Sequence, residues 1–217
     1  MRAEIRVWAT VWLVVGTVLS APALACQASP TDVAVAPVFE PFVQDLTQSL
    51  TRLETVARTA PGAVAHPGRT AGLWMAELFV EYQARIEVIP DRVQPCVRLT
   101  RVEGRFGFRN AKLMVARELA ADACTRQAVI AHEELHAAAD HAVLRDYHSR
   151  LVAAIQQIGG NFRSDQALRS QLQATVTTVF EAAARDRAAR QQAIDTAEEY
   201  ARVNAKCDGR IGRLLHR

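Results

Sequence analysis

The apolar and polar positions change period along this chain, and the changes divide it into elements. Over residues 78–88, Leu78, Val80, Tyr82, Ala84, Ile86 and Val88 alternate with Glu81, Gln83, Arg85 and Glu87, and Phe79 is the one exception. Period two predicts a half-buried strand, long or bent. Pro90-Asp91 reads as a turn. Residues 96–102 and 111–117, separated by Gly104 and Gly107, read as two further strands. Three such segments predict a small antiparallel sheet or meander. Upstream, residues 26–36 read as an irregular lead-in. Residues 38–58 carry Phe39, Phe42, Val43, Leu46, Leu50, Leu53 and Val56 near helical spacing, which predicts a helix ended by Pro61-Gly62.

After Asp122, a favourable N-cap residue, the period becomes helical and stays so. A first long helix is predicted over 123–158, broken by Gly159-Gly160-Asn161. A second, capped by Ser164, is predicted over 165–206. So short a break favours an antiparallel pair. The expected class is α+β, with a small antiparallel sheet packed on a long antiparallel helix pair, in a single domain spanning 26–217.

The N-terminus changes the picture of where this domain works. A charged start with Arg2, Glu4 and Arg6 precedes an apolar run over 7–19 and then the small residues Ser20-Ala21-Pro22-Ala23-Leu24-Ala25. That order is the signature of a secretory signal peptide over 1–25. The run is shorter than the roughly 20 residues that a spanning helix needs. Cleavage after Ala25 would expose Cys26. A lipid-modified Cys26 is the rival outcome, but Ala23 stands where lipoprotein signals usually place Leu. A periplasmic or secreted protein is expected, with no stable membrane insertion after signal removal. The charge, 26 basic against 23 acidic residues, is near neutral and scattered. It gives no footprint for nucleic acid or an anionic membrane.

The four cysteines, Cys26, Cys96, Cys124 and Cys207, all lie beyond that segment. With no CxxC pair among them they read as two disulfides in an oxidising compartment. Three pairings are possible. The favoured one is Cys96–Cys124, joining a strand to the start of the first long helix, with Cys26–Cys207 tying the ends.

Residues 132–136 read His-Glu-Glu-Leu-His, or HExxH. Residues i and i+4 share one helix face, so both imidazoles can reach one ion, with zinc the expected one. Glu133 falls beside them, placed to take a proton from an activated water. The stripe Val129, His132, His136, Ala139, Val143, Tyr147, Leu151 turns both histidines inward, where free imidazoles need partners. The third ligand is less defined. His141 stands about 140° around the helix from His136, and Asp140 lies a full turn further along. A fold-back at 159–164 brings position 134 near residue 189, to within about two turns. The carboxylates in reach are Glu181, Asp186 and Asp195. Asp186, on the inner stripe Leu172, Val176, Val179, Ala183, Asp186, Arg190, is the first choice, and a local Asp186–Arg190 pair is its bland alternative. Tyr147, Tyr200 or His148 could steady a developing oxyanion. His148 and His66 otherwise read as solvent-facing.

Residues 112–118 (Lys-Leu-Met-Val-Ala-Arg-Glu), Cys124, Ala131 through His136, and the tail from Ile194-Asp195-Thr196-Ala197-Glu198-Glu199-Tyr200 to Cys207 together resemble a group of bacterial secreted proteins classed with predicted zinc-dependent, zincin-like proteases. The resemblance covers residues 76–207. It implies a minimal zincin fold and a peptidase acting on a peptide or protein substrate. It carries over His132, Glu133 and His136, and draws attention to Asp195 and Glu199 without assigning them. The alternative is a non-catalytic exported helical protein that binds metal or a partner.

Overall fold

The computed structural model describes residues 30–59, 70–90, 96–159 and 162–215. The segment read as a signal peptide, Cys26 and His66 lie outside them. The chain is a mixed helix-and-sheet protein. Its elements are β1 (Asp32–Phe39), β2 (Val43–Asp45), α1 (Leu50–Thr59), β3 (Gly72–Ile89), β4 (Cys96–Val115), α2 (Arg117–Ala120), α3 (Ala123–Gln156), α4 (Asp165–Ile194) and α5 (Ala197–Leu215).

β4 is the axis of the sheet. β3 runs antiparallel along one edge of it, while β1 and β2 lie end to end along the other edge, both parallel. The sheet is therefore mixed, not the expected antiparallel meander. Two differences from the sequence pattern explain this. The segments 96–102 and 111–117 are one continuous strand, because Gly104 and Gly107 do not turn the chain. Gly107 sits where the β1 backbone crosses closest: a Cβ there would lie 1.7 Å from the Val38 carbonyl oxygen. The predicted helix over 38–58 forms only from Leu50, and β1 takes in residues 32–36 of the supposed lead-in. Pro37 and Pro41 bias the residues before them towards extended backbone, and Pro37 lies in an edge strand with no ladder bond to lose.

The two sheet faces differ as the alternation requires. One carries Glu77, Glu81, Arg105 and Arg109, joined in exposed ion pairs. Phe79, the exception to the alternation, is buried on this face, with Arg105 and Arg109 over its ring. The other face packs on the helices. Phe106, Phe108, Leu113, Leu151, Leu168 and Leu172 are almost fully enclosed there. Each contributes roughly 1.5–3 kcal/mol by leaving water.

Asp122 and Ser164 cap α3 and α4 as expected, accepting from the Thr125 and Ala167 amides. The two helices run antiparallel, with Gln191 bonded to His136 and Arg187 to Asp140. The second long helix does not continue to 206. It stops at Ile194; Asp195 leaves helical geometry at φ −82°, ψ 55°. Thr196 then restarts α5 by accepting from the Glu199 amide at 3.1 Å. α5 itself kinks at Cys207, Asp208 and Gly209, all at positive φ.

The disulfide pairing also differs from the favoured one. Cys124 is bonded to Cys207, with their Cα atoms 5.9 Å apart. That excludes both Cys96–Cys124 and Cys26–Cys207. Cys96 is disulfide-bonded too. The fold brings the α5 kink over the first turn of α3, a proximity no sequence spacing reveals. Among the described residues, no helix is long and apolar enough to cross a membrane.

Candidate metal centre

His132, Glu133, His136 and Asp140 form the polar seam of α3. One apolar cluster takes Val129 and Ala137 from that helix, and a second takes Val143 and Leu144. All four seam residues are buried. The His132 and His136 rings stand nearly edge to face, with centroids 5.1 Å apart.

The break between α4 and α5 supplies what the helix period hid. Asp195 Oδ1 lies 3.4 Å from His132 Nε2 and 3.2 Å from His136 Nε2. These three residues form a group whose ligand atoms lie within 4.8 Å of one another, and it can hold a metal ion. Asp186, the first-choice third ligand, is not part of it. Its carboxylate is 2.9 Å from Arg190, the bland alternative of the sequence reading. Of the rivals, Glu181 faces Arg185, and His141 stacks on Phe39 with ring centroids 3.5 Å apart. On a continuous helix Asp195 falls off the inner stripe; the break after Ile194 brings it in.

Both imidazoles have their other nitrogen engaged. His132 Nδ1 donates to Glu199 Oε1 at 3.2 Å, and His136 Nδ1 donates to Gln191 Oε1. Each Nε2 is thereby left as the nitrogen facing Asp195. Two imidazole lone pairs and a carboxylate oxygen cannot face one another across about 3 Å unless a cation, a proton or a metal, sits among them. Burial works against the charged imidazoles, but Asp195, Glu133 and the Nδ1 partners outweigh it and shift both upward from the ordinary histidine value. The site draws positive charge.

The donor set fits a metal. At bond lengths near 2.1 Å, the edges of a tetrahedral zinc site measure about 3.4 Å, and the two histidine–aspartate separations match that. Two nitrogens and one oxygen suit zinc and other first-row divalent ions.

Glu133 lies against the start of β3, where it accepts the Trp74 backbone amide. Its carboxylate uses room left by the missing side chain of Gly72. Burial raises it to about 7, against the opposing charges of His136 and His132. Tyr200 donates to Asp195 Oδ1 at 2.9 Å. Burial, then the Asp195 charge beside it, push its phenol well above the usual tyrosine range. Of the other suggested oxyanion partners, Tyr147 is packed in the core beneath Arg150, and His148 is half-buried and bonded to the Val35 carbonyl. Neither is at the site.

Comparison with protein-family models, curated proteins and solved structures gives no match to this chain.

Sequence reasoning missed Gln191 altogether, and Glu199 was noticed only through the resemblance. Thr196-x-x-Glu199 has the form of a capping box, and that signal could have marked a helix start at 196. A second grouping, Asp122, Cys124 and Cys207, is taken up by the disulfide.

Proposed function

We propose that the chain is an exported zinc-dependent hydrolase of the metallopeptidase type, with a zincin-like arrangement built on α3 and the α4–α5 break. One observation carries the reading: two Nε2 atoms of an HExxH helix meet a single carboxylate oxygen at tetrahedral spacing, with Glu133 alongside. Three protein ligands with a fourth position left for water is the pattern of catalytic rather than structural zinc. The Cys124–Cys207 bond supports an oxidising compartment.

A zinc ion bound there would supply a Lewis acid for a peptide carbonyl and for water. His132, His136 and Asp195 would hold it. Glu199 and Gln191 keep the rings in orientation. Glu133 takes the proton of the attacking water and delivers it to the departing amine nitrogen. An open groove of about 460 Å³ lies beside α3 and α5, bordered by Ala128, Ala131, Arg202 and Lys206, next to the helix face that carries the proposed ligands but not lined by them.

The test is zinc content together with cleavage of a peptide library. Wild type should bind about one zinc per chain. His132→Ala should lose it, and Glu133→Gln should keep it while losing cleavage. A wild type without metal would sink the proposal.

A second reading, metal holding without turnover, draws on the closure of the site. The His132, His136 and Asp195 side chains are only 8%, 9% and 7% exposed. It expects Glu133→Gln to match wild type in every assay.

A further inference from the structure

Below the histidine pair, α3 and α4 are joined by a two-rung polar ladder. Asp140, one turn after His136, is fully buried. Every neighbour of its carboxylate is a donor. Trp74 Nε1 donates to it at 2.8 Å, Arg187 at 2.7 and 2.9 Å, and Gln191 Nε2 at 2.8 Å. Gln191 Nε2 also donates to the His136 carbonyl at 3.1 Å. Its Oε1 faces His136 Nδ1.

We propose that Gln191, oriented by Asp140, is a positioning residue that fixes the tautomer of His136 and so reserves Nε2 for the metal. The inference rests on the metal reading above and deepens it. Asp140 and a backbone carbonyl can only accept, so the amide atom between them must be the nitrogen. The oxygen is then forced towards His136. An oxygen facing Nδ1 requires a hydrogen on Nδ1, which leaves the Nε2 lone pair free for an ion. Trp74 on β3 and Arg187 on α4 hold the Asp140 end, so the sheet, α3 and α4 all set the direction of one imidazole. His132 needs no such relay, because the Glu199 carboxylate accepts from its Nδ1 directly.

The experiment compares the full chain with Gln191→Leu, Asp140→Asn and the exchanged pair Asp140→Asn/Gln191→Glu. Zinc alone is the probe, with affinity measured by chelator competition. The His136 ring nitrogens are read by NMR in the metal-free protein. Gln191→Leu and Asp140→Asn should each weaken zinc by about 10–100-fold, as loss of a partner behind a ligand histidine does. Wild-type His136 should carry its hydrogen on Nδ1, and Gln191→Leu should show a mixture. The exchanged pair replaces the amide oxygen on Nδ1 by a carboxylate oxygen, with the Asn amide at position 140 donating to that carboxylate. It should recover most of the affinity, which a purely structural role would not predict. Zinc affinity in Gln191→Leu within twofold of wild type would overturn the proposal. So would an unchanged Nδ1–H tautomer in that variant. If wild type takes up no zinc, the metal reading fails, and the metal-free tautomer still decides the role of Gln191. Should Asp140→Asn not fold, Gln191→Leu carries both readouts alone.

Discussion

Gly72 and Glu133 share one volume. A Cβ built on Gly72 would stand 2.6 Å from Glu133 Oε1, and 2.4 Å from Val129 Cγ1. The first residue of β3 is thus the floor on which the proposed acid/base rests. Gly72→Ala should displace the carboxylate and overpack α3 against β3. The expected cost is about 1–3 kcal/mol, measured by denaturant unfolding. Zinc should stay bound while cleavage falls. Unchanged stability and turnover would show that the carboxylate does not depend on this contact.

Removing the ion should loosen the region where α3 meets the α4–α5 break. With zinc at a hundred times its Kd, linkage adds about 2.7 kcal/mol to the folded state. For a chain of this size that is about 5–10 °C in Tm. Calorimetry with and without a chelator reads it, and Asp195→Ala should abolish the difference. A chelator-dependent shift that survives Asp195→Ala would place the ion elsewhere.

Arg187 and Arg190 lie on the same helix, and both make ion pairs, but their environments separate them. Arg187 grips Asp140, whose side chain is 0% exposed; Arg190 pairs with Asp186 and Asp146, which are 30% and 43% exposed. Arg187→Ala leaves a buried carboxylate without its cation and should cost about 3–5 kcal/mol. Arg190→Ala breaks partly solvated pairs and should cost about 0–1 kcal/mol. Urea melts of the two variants decide this, and equal losses would contradict it.

The Cys124–Cys207 bond closes a sequence separation of 83 residues. Cys124→Ala/Cys207→Ala should lose about 2–4 kcal/mol. Because the bond ties α5 to the first turn of α3, and α5 carries Glu199 and Tyr200, the same variant should also bind zinc more weakly. Wild-type zinc affinity in the variant would separate the clamp from the site.

The local features of this protein were legible in its residues. The i, i+4 spacing alone placed His132 and His136 on one inward face, because helix geometry is local. Asp122 and Ser164 marked helix starts, because capping is a bond within one turn. The alternation in β3 marked a half-buried strand, because one sheet face meets water. Tertiary structure decided the rest. Residues 32–39 became a strand because β4 offers them a parallel partner. Gly104 and Gly107 continued a strand that their residue type seemed to end, because neighbouring backbones approach there. Cys124 found Cys207 through the packing of α5. Asp195, not Asp186, is the carboxylate that meets both imidazoles, because the chain leaves helical geometry between α4 and α5. A helical period extrapolated through that break aims the carboxylate elsewhere; the packed chain turns it onto both imidazoles.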